Sequence, residues 1–89
     1  MSGTVYLLHY ARPIRGGMRH YLGWTNDLET RVRSHREGGG SVTTKLFFEQ
    51  GVGFELARTW PGDQRRERAL KRRPSRTLCP ICLAAERRG

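Results

Sequence analysis

The chain has 89 residues, of which 36% are hydrophobic, and a formal net charge of +9. This composition fits one small domain with a thin core, which a partner chain or a second copy could supplement. No apolar run approaches the roughly 18–20 residues of a membrane span, and no signal-peptide pattern is present, so we expect a cytoplasmic protein without membrane contact. The positive charge makes nucleic acid the first candidate partner, although small ribosomal proteins, antitoxins and secreted cationic peptides are equally basic.

The first part of the chain predicts a β-hairpin and a helix. Residues 4–10 are rich in β-branched and aromatic types and indicate a strand that is buried on both faces. Residues 11–18 contain glycine and proline and predict a turn, and residues 19–24 predict the returning strand. A helix over about residues 27–37 would be capped by Thr25 or Asn26 and ended by the triple glycine that follows it.

The second part predicts another strand and another helix. Residues 45–49 fit either a short helix or an apolar loop, whereas the alternating residues 54–60 predict a half-buried strand. Asp63 would cap a helix over about residues 63–73, and Pro74 would end it. The predicted order is therefore β-β-α-(α)-β-α, with a domain over residues 1–74.

Four short motifs carry the functional signal. They are Thr4-Val5-Tyr6, Tyr21-Leu22-Gly23, the helix start T-N-D-L-E-x-R that ends at Arg31, and the E-x-x-L-K helix that begins at Glu67. In this order and over about residues 4–73, they resemble the GIY-YIG nuclease superfamily. The resemblance implies an α+β fold, in which a small three-stranded antiparallel sheet is flanked by helices, and a metal-dependent cut in a phosphodiester backbone.

The resemblance also implies roles for individual side chains. Tyr6 and Tyr21 match the family tyrosines, which can accept a proton from the attacking water. Arg31 matches a phosphate-holding arginine, and His35 follows one helical turn later. Glu67 matches the carboxylate that binds Mg2+ or Mn2+. Further contacts with nucleic acid are expected from four basic residues, namely Arg33, Lys45, Arg66 and Lys71.

Simpler interpretations stand beside these roles. The tyrosines could be ordinary strand residues, Arg31 a solvated helix residue and His35 a half-buried residue at the helix end. Glu67 could merely pair with Lys71 at i,i+4 spacing. A longer hairpin loop and the lack of a late asparagine also separate the chain from the family pattern. We therefore expect an endonuclease for which DNA is favoured over RNA, with a non-catalytic nucleic-acid-binding module on the same fold as the alternative.

Residues 75–89 form a basic tail that contains Cys79-Pro80-Ile81-Cys82. This CxxC spacing is typical of half a zinc site, and a dimer could supply four thiolates. The positions of the histidines give no reason to pair them with the two cysteines. We therefore expect a free dithiol or a reversible disulfide rather than zinc at Cys79 and Cys82, while a small zinc-linked adaptor remains a third interpretation of the chain.

Overall fold

The computed structural model describes residues 3–88, and for Arg88 the backbone only. The elements are β1 (Gly3–Ile14), β2 (Met18–Thr25), α1 (Leu28–Arg36), α2 (Val42–Glu49), β3 (Phe54–Gly62), α3 (Gln64–Lys71), α4 (Ser75–Leu78) and α5 (Pro80–Arg88). The strands form one antiparallel sheet in the order β2-β1-β3. The predicted α+β class, with a three-stranded antiparallel sheet flanked by helices, is confirmed.

Strand β1 lies in the middle of the sheet, and its side chains are buried on both faces, as its apolar run predicts. One face, which we call the α3 face, is closed by a core of Val5, Leu7, Leu22, Trp60, Leu70, Leu78 and Cys79. The opposite face, which we call the α1 face, is closed by a core of Tyr6, Leu8, Tyr10, Ile14, Phe47 and Val52. Alternation along one strand therefore divides the domain into two separate cores.

The hairpin strands are longer than predicted, because residues 11–14 continue β1 instead of forming a turn. The backbone N–H of Ala11 donates to the carbonyl oxygen of Gly53 at 2.9 Å, which extends the pairing of β1 beyond the predicted end. The guanidinium of Arg19 adds a 2.9 Å hydrogen bond to the Ala11 carbonyl from the other side. The connection shrinks to a 3-10 turn over Arg15–Gly17.

Helix α1 is capped by Asp27, so the prediction of Thr25 or Asn26 as the cap is wrong. The Asp27 side chain accepts from the backbone N–H of Thr30 at 3.2 Å. Thr25 instead accepts from the backbone N–H of Asp27 at 3.0 Å and thereby fixes the turn that leads into the helix. The helix ends before the triple glycine, as predicted.

The remaining elements settle what the pattern left open. Residues 42–49 form the full helix α2, capped by Ser41, and Asp63 caps α3 as predicted. Helices α4 and α5 follow Pro74 where the sequence predicted only a basic tail. Within residues 3–88, no helix is long and apolar enough to cross a membrane.

The central strand makes a direct prediction about stability. Leu7→Ala should lower the free energy of unfolding by about 2–5 kcal/mol, because the side chain is fully buried on the α3 face and its removal leaves a cavity. Leu56→Ala on β3 is the matched control and should cost less than about 1 kcal/mol, because Leu56 is 39% exposed. Urea unfolding measures both values. Equal losses in the two variants would contradict the assignment of β1 as the buried central strand.

Candidate functional site

Three of the predicted catalytic residues meet on the α1 face of the sheet. Tyr6 and Tyr21 come from the paired strands β1 and β2, where Tyr6 lies opposite Gly23 and Tyr21 lies opposite Leu8. His35 reaches the same place from the last turn of α1. The ring centroids are 6.2 Å apart for the two tyrosines, 5.7 Å for Tyr6 and His35, and 5.5 Å for Tyr21 and His35. The three rings thus form one compact group.

A hydrogen bond joins Tyr6 to His35, with 2.8 Å between the phenolic oxygen and Nε2. On the other side of the ring, Nδ1 of His35 lies 3.3 Å from the carbonyl oxygen of Gly39, which can only accept. Nδ1 of His35 therefore carries a proton and donates it to this carbonyl. Burial lowers the pKa of His35 and favours the neutral ring, in which Nε2 has no proton. It follows that the Tyr6 hydroxyl donates to the free Nε2.

Two glycines make room for this pair. Tyr6 lies so close to Gly23 that a Cβ there would be 2.5 Å from the phenolic oxygen. Gly40, at φ +100°, passes so close to the His35 ring that a Cβ would overlap it. Gly23 of the second motif and Gly40 of the triple glycine therefore have the same role, which is to let the backbone approach the Tyr6–His35 pair closely.

The charges of Arg31 and Glu67 act on the same hydroxyl. Burial raises the pKa of Tyr6, and the neighbouring Tyr21 raises it further; the Arg31 guanidinium lowers it, whereas the Glu67 carboxylate raises it. Arg31 is exposed on α1. The Glu67 side chain on α3 is 18% exposed and lies 3.5 Å from Nζ of Lys71. An exposed cation on α1 and a half-buried carboxylate on α3 thus act on the Tyr6 hydroxyl through their charges.

The four predicted nucleic-acid contacts are all exposed, on three different helices. Arg33 on α1 lies 3.7 Å from the Glu29 carboxylate, and Lys71 pairs with Glu67. Lys45 lies on α2 and Arg66 on α3. Other exposed basic residues on or just after α3 are Arg65, Arg68, Arg72 and Arg73. The helices that carry Arg31 and Glu67 therefore also carry a large share of the positive charge.

A second group of reactive side chains lies on the α3 face. Cys79 and Cys82 lie beside His9 and His20, and the ligand atoms of all four residues fall within 4.8 Å of one another. The expectation that the histidines do not pair with the CxxC motif is therefore wrong, and one chain brings together four side chains that could hold a metal ion. Both cysteines are free thiols. The missed signal is the hairpin register, which places His9 directly opposite His20.

Burial shifts the pKa values of three residues of this second group towards their neutral forms. It lowers the pKa of His9, and the Arg19 cation lowers it further. Burial also lowers the pKa of His20, followed by the effects of His9 and Arg19. Burial raises the pKa of the Cys82 thiol, and Cys79 adds to this effect. Neutral imidazoles are the form in which histidine binds a metal, whereas the thiols must give up their protons.

Comparisons of the chain with protein-family models, curated proteins and solved structures found no significant match. The resemblance to the GIY-YIG superfamily therefore depends on the motifs alone and stays a hypothesis. The arrangement on the α1 face is the basis for a functional proposal. A buried Tyr6–His35 hydrogen bond occurs there, and the charges of Arg31 and Glu67 act on its hydroxyl.

The close approach at Gly23 is testable. Gly23→Ala should lower the free energy of unfolding by about 1–3 kcal/mol, because the new methyl group must displace the Tyr6 phenol. Gly53→Ala is the control, since a Cβ there meets no atom within 4 Å. Chemical denaturation gives the stabilities, and the NMR signals of the His35 ring report the broken hydrogen bond. Unchanged His35 signals in Gly23→Ala would show that the phenol does not lie over this glycine.

Proposed function

We propose that the chain is an endonuclease that hydrolyses phosphodiester bonds in nucleic acid, DNA in preference to RNA, with Mg2+ or Mn2+ as its cofactor. The observation that carries the proposal is the Tyr6–His35 hydrogen bond, at a hydroxyl on which the charges of Arg31 and Glu67 act. Hydrolysis of a phosphodiester needs a proton acceptor for water, a cation for the phosphate and a ligand for a divalent ion. The Tyr6–His35 pair, Arg31 on α1 and Glu67 on α3 would supply these three groups.

Tyr6 and His35 would act together on the attacking water. Because burial raises the pKa of Tyr6, a free phenolate is disfavoured at neutral pH. The hydroxyl would instead accept a proton from water while its own proton passes along the 2.8 Å hydrogen bond to Nε2 of His35. The neutral His35 ring can take this proton, and the Gly39 carbonyl stabilises the imidazolium that results. Tyr21, half-buried beside both rings, would orient the water.

Arg31 and Glu67 would handle the phosphate and the metal. The exposed guanidinium of Arg31 is free to donate to two phosphate oxygens at once. Glu67 offers the hard oxygen ligand that Mg2+ prefers, and one carboxylate together with substrate phosphate is enough for this ion. Its present neighbour Lys71 is 55% exposed and can turn away. A divalent ion bound there would polarise the phosphate.

The positive surface would supply affinity without sequence preference. The net charge of +9 and the exposed arginines on α1 and α3 favour contacts with phosphates. Specificity would then come from the shape of the substrate or from a protein partner. The proposal also places the protein in the cytoplasm, where it would have access to nucleic acid.

The metal role makes the sharpest prediction. Glu67→Gln should leave binding of nucleic acid intact and abolish Mg2+-dependent cleavage, because the amide keeps the shape of the side chain and loses the charge that holds the ion. Cleavage is measured on labelled single-stranded, duplex and branched DNA and RNA, with and without chelator. Gel shifts measure binding.

Glu29→Gln on α1 is the matched control and should cleave normally, since Glu29 is an exposed carboxylate paired with Arg33. Cleavage by Glu67→Gln at the wild-type rate would overturn the metal assignment. Salt-dependent binding by a wild-type protein that cuts none of the substrates would instead favour the non-catalytic binding module.

The two arginines of α1 form a second test. Arg31→Ala should lower the cleavage rate by about 100-fold or more, because a phosphate clamp acts mainly in the transition state. Arg33→Ala should lower it only slightly, since that guanidinium already pairs with Glu29. Single-turnover kinetics at saturating enzyme separate the rate from the affinity. Equal, small losses in the two variants would reduce Arg31 to one part of the general positive field.

A further inference from the structure

We propose that His9, His20, Cys79 and Cys82 form a structural zinc site that fixes helices α4 and α5 to the β1–β2 hairpin. This site lies on the α3 face of the sheet, opposite the tyrosines, and it does not depend on the nuclease proposal. Each strand of the hairpin provides one histidine, Cys79 lies between α4 and α5, and Cys82 lies in the first turn of α5.

The distances fit a tetrahedral zinc ion. Zn–N bonds of about 2.0 Å and Zn–S bonds of about 2.3 Å place two nitrogens about 3.3 Å apart, and a nitrogen and a sulfur about 3.5 Å apart. His9 Nδ1 and His20 Nε2 are 3.3 Å apart. Cys82 Sγ lies 3.6 Å from His9 Nδ1 and 3.3 Å from His20 Nε2, and Cys79 Sγ lies 3.4 Å from His9 Nδ1. These four distances match those between the corners of a tetrahedron around zinc, and all four ligand atoms lie within 4.8 Å of one another.

Hydrogen bonds alone do not account for this cluster. Nδ1 of His9 has three close neighbours, namely Nε2 of His20 and the sulfurs of Cys79 and Cys82, at 3.3–3.6 Å. A ring nitrogen has either one proton or one lone pair, so it makes one good hydrogen bond. A shared ion at the centre satisfies all four groups at once, since each directs one lone pair towards it.

The ligand types select the metal and its role. Two thiolates and two imidazoles favour zinc over Mg2+ or Mn2+, which prefer oxygen ligands. Four protein ligands leave no position for water or substrate, so the site is structural rather than catalytic. Binding displaces the two thiol protons to solvent.

The site lies between the end of the regular β1–β2 ladder and the C-terminal helices. His9 and His20 form the last regular pair of the β1–β2 ladder, because the register shifts between His9 and Ile14. Cys79 is fully buried, and Cys82 on α5 is half-buried. Zinc would therefore hold the end of the regular ladder and the C-terminal helices in one unit.

Zinc content of the protein purified under reducing conditions tests the site. We expect one zinc ion per chain with a dissociation constant of about 1 nM or tighter. Cys82→Ser and His20→Asn should each weaken binding by more than about 100-fold. His35→Gln is the control and should retain zinc, because His35 is the only other histidine in the chain.

Cobalt substitution of the wild-type protein keeps the test independent of how the variants fold. Tetrahedral visible bands together with thiolate-to-cobalt charge transfer are the expected result. Zinc removal should also speed tryptic cleavage at Arg76 and Arg87, which lie on the two helices that the site holds. Three results would overturn the proposal: a wild-type chain that retains no zinc, an octahedral cobalt spectrum, or unchanged zinc binding in His20→Asn.

Discussion

The pairing register of β1 and β2 is the constraint on which the rest of the structure depends. It places Tyr6 opposite Gly23 and His9 opposite His20. Because side chains alternate along a strand, this register sends the tyrosines to the α1 face and the two histidines to the α3 face. A slip of β2 by one residue would exchange its faces, separate Tyr21 from His35 and separate His20 from the cysteines. Both candidate sites therefore depend on the same ladder of backbone hydrogen bonds.

Two neighbouring rungs of the ladder hold that register. Only a glycine opposite Tyr6 leaves space for the phenol, so the Tyr6–Gly23 pair tolerates no neighbouring residue of β2 in its place. On the next rung, the indole N–H of Trp24 donates to the carbonyl oxygen of Gly62 at 2.9 Å, across the end of β1. Trp24 thus links the two outer strands, which explains why an aromatic residue follows the glycine of the second motif.

Local patterns were enough to predict the three strands, α1 and α3, because apolar strands, the Asp63 cap and the triple glycine are signals that neighbouring residues create. The three-stranded antiparallel sheet followed from the family resemblance instead. The length of β1 was missed because residues 11–14 include Arg12 and Pro13, and the hydrogen bond from Ala11 to Gly53 depends on a contact distant in sequence. The motifs identified Tyr6, Tyr21 and His35, which do lie together. The histidine partners of the cysteines lie 62–73 residues away, and only the hairpin register could have indicated them.

The C-terminal segment is also a part of the core rather than an addition to it. Leu78 and Cys79 are buried against the same face as Leu7, so the α3 face is closed only when α4 is in place. The chain has a net charge of +9, and this basic segment packs near other basic helices. Electrostatic repulsion therefore opposes the docking of the segment. Burial of Leu78 and Cys79, with Ile81 and Cys82 partly buried beside them, is a small driving force for ordering residues 75–88. A metal ion bound by both the hairpin and the segment would add a strong and directional attachment.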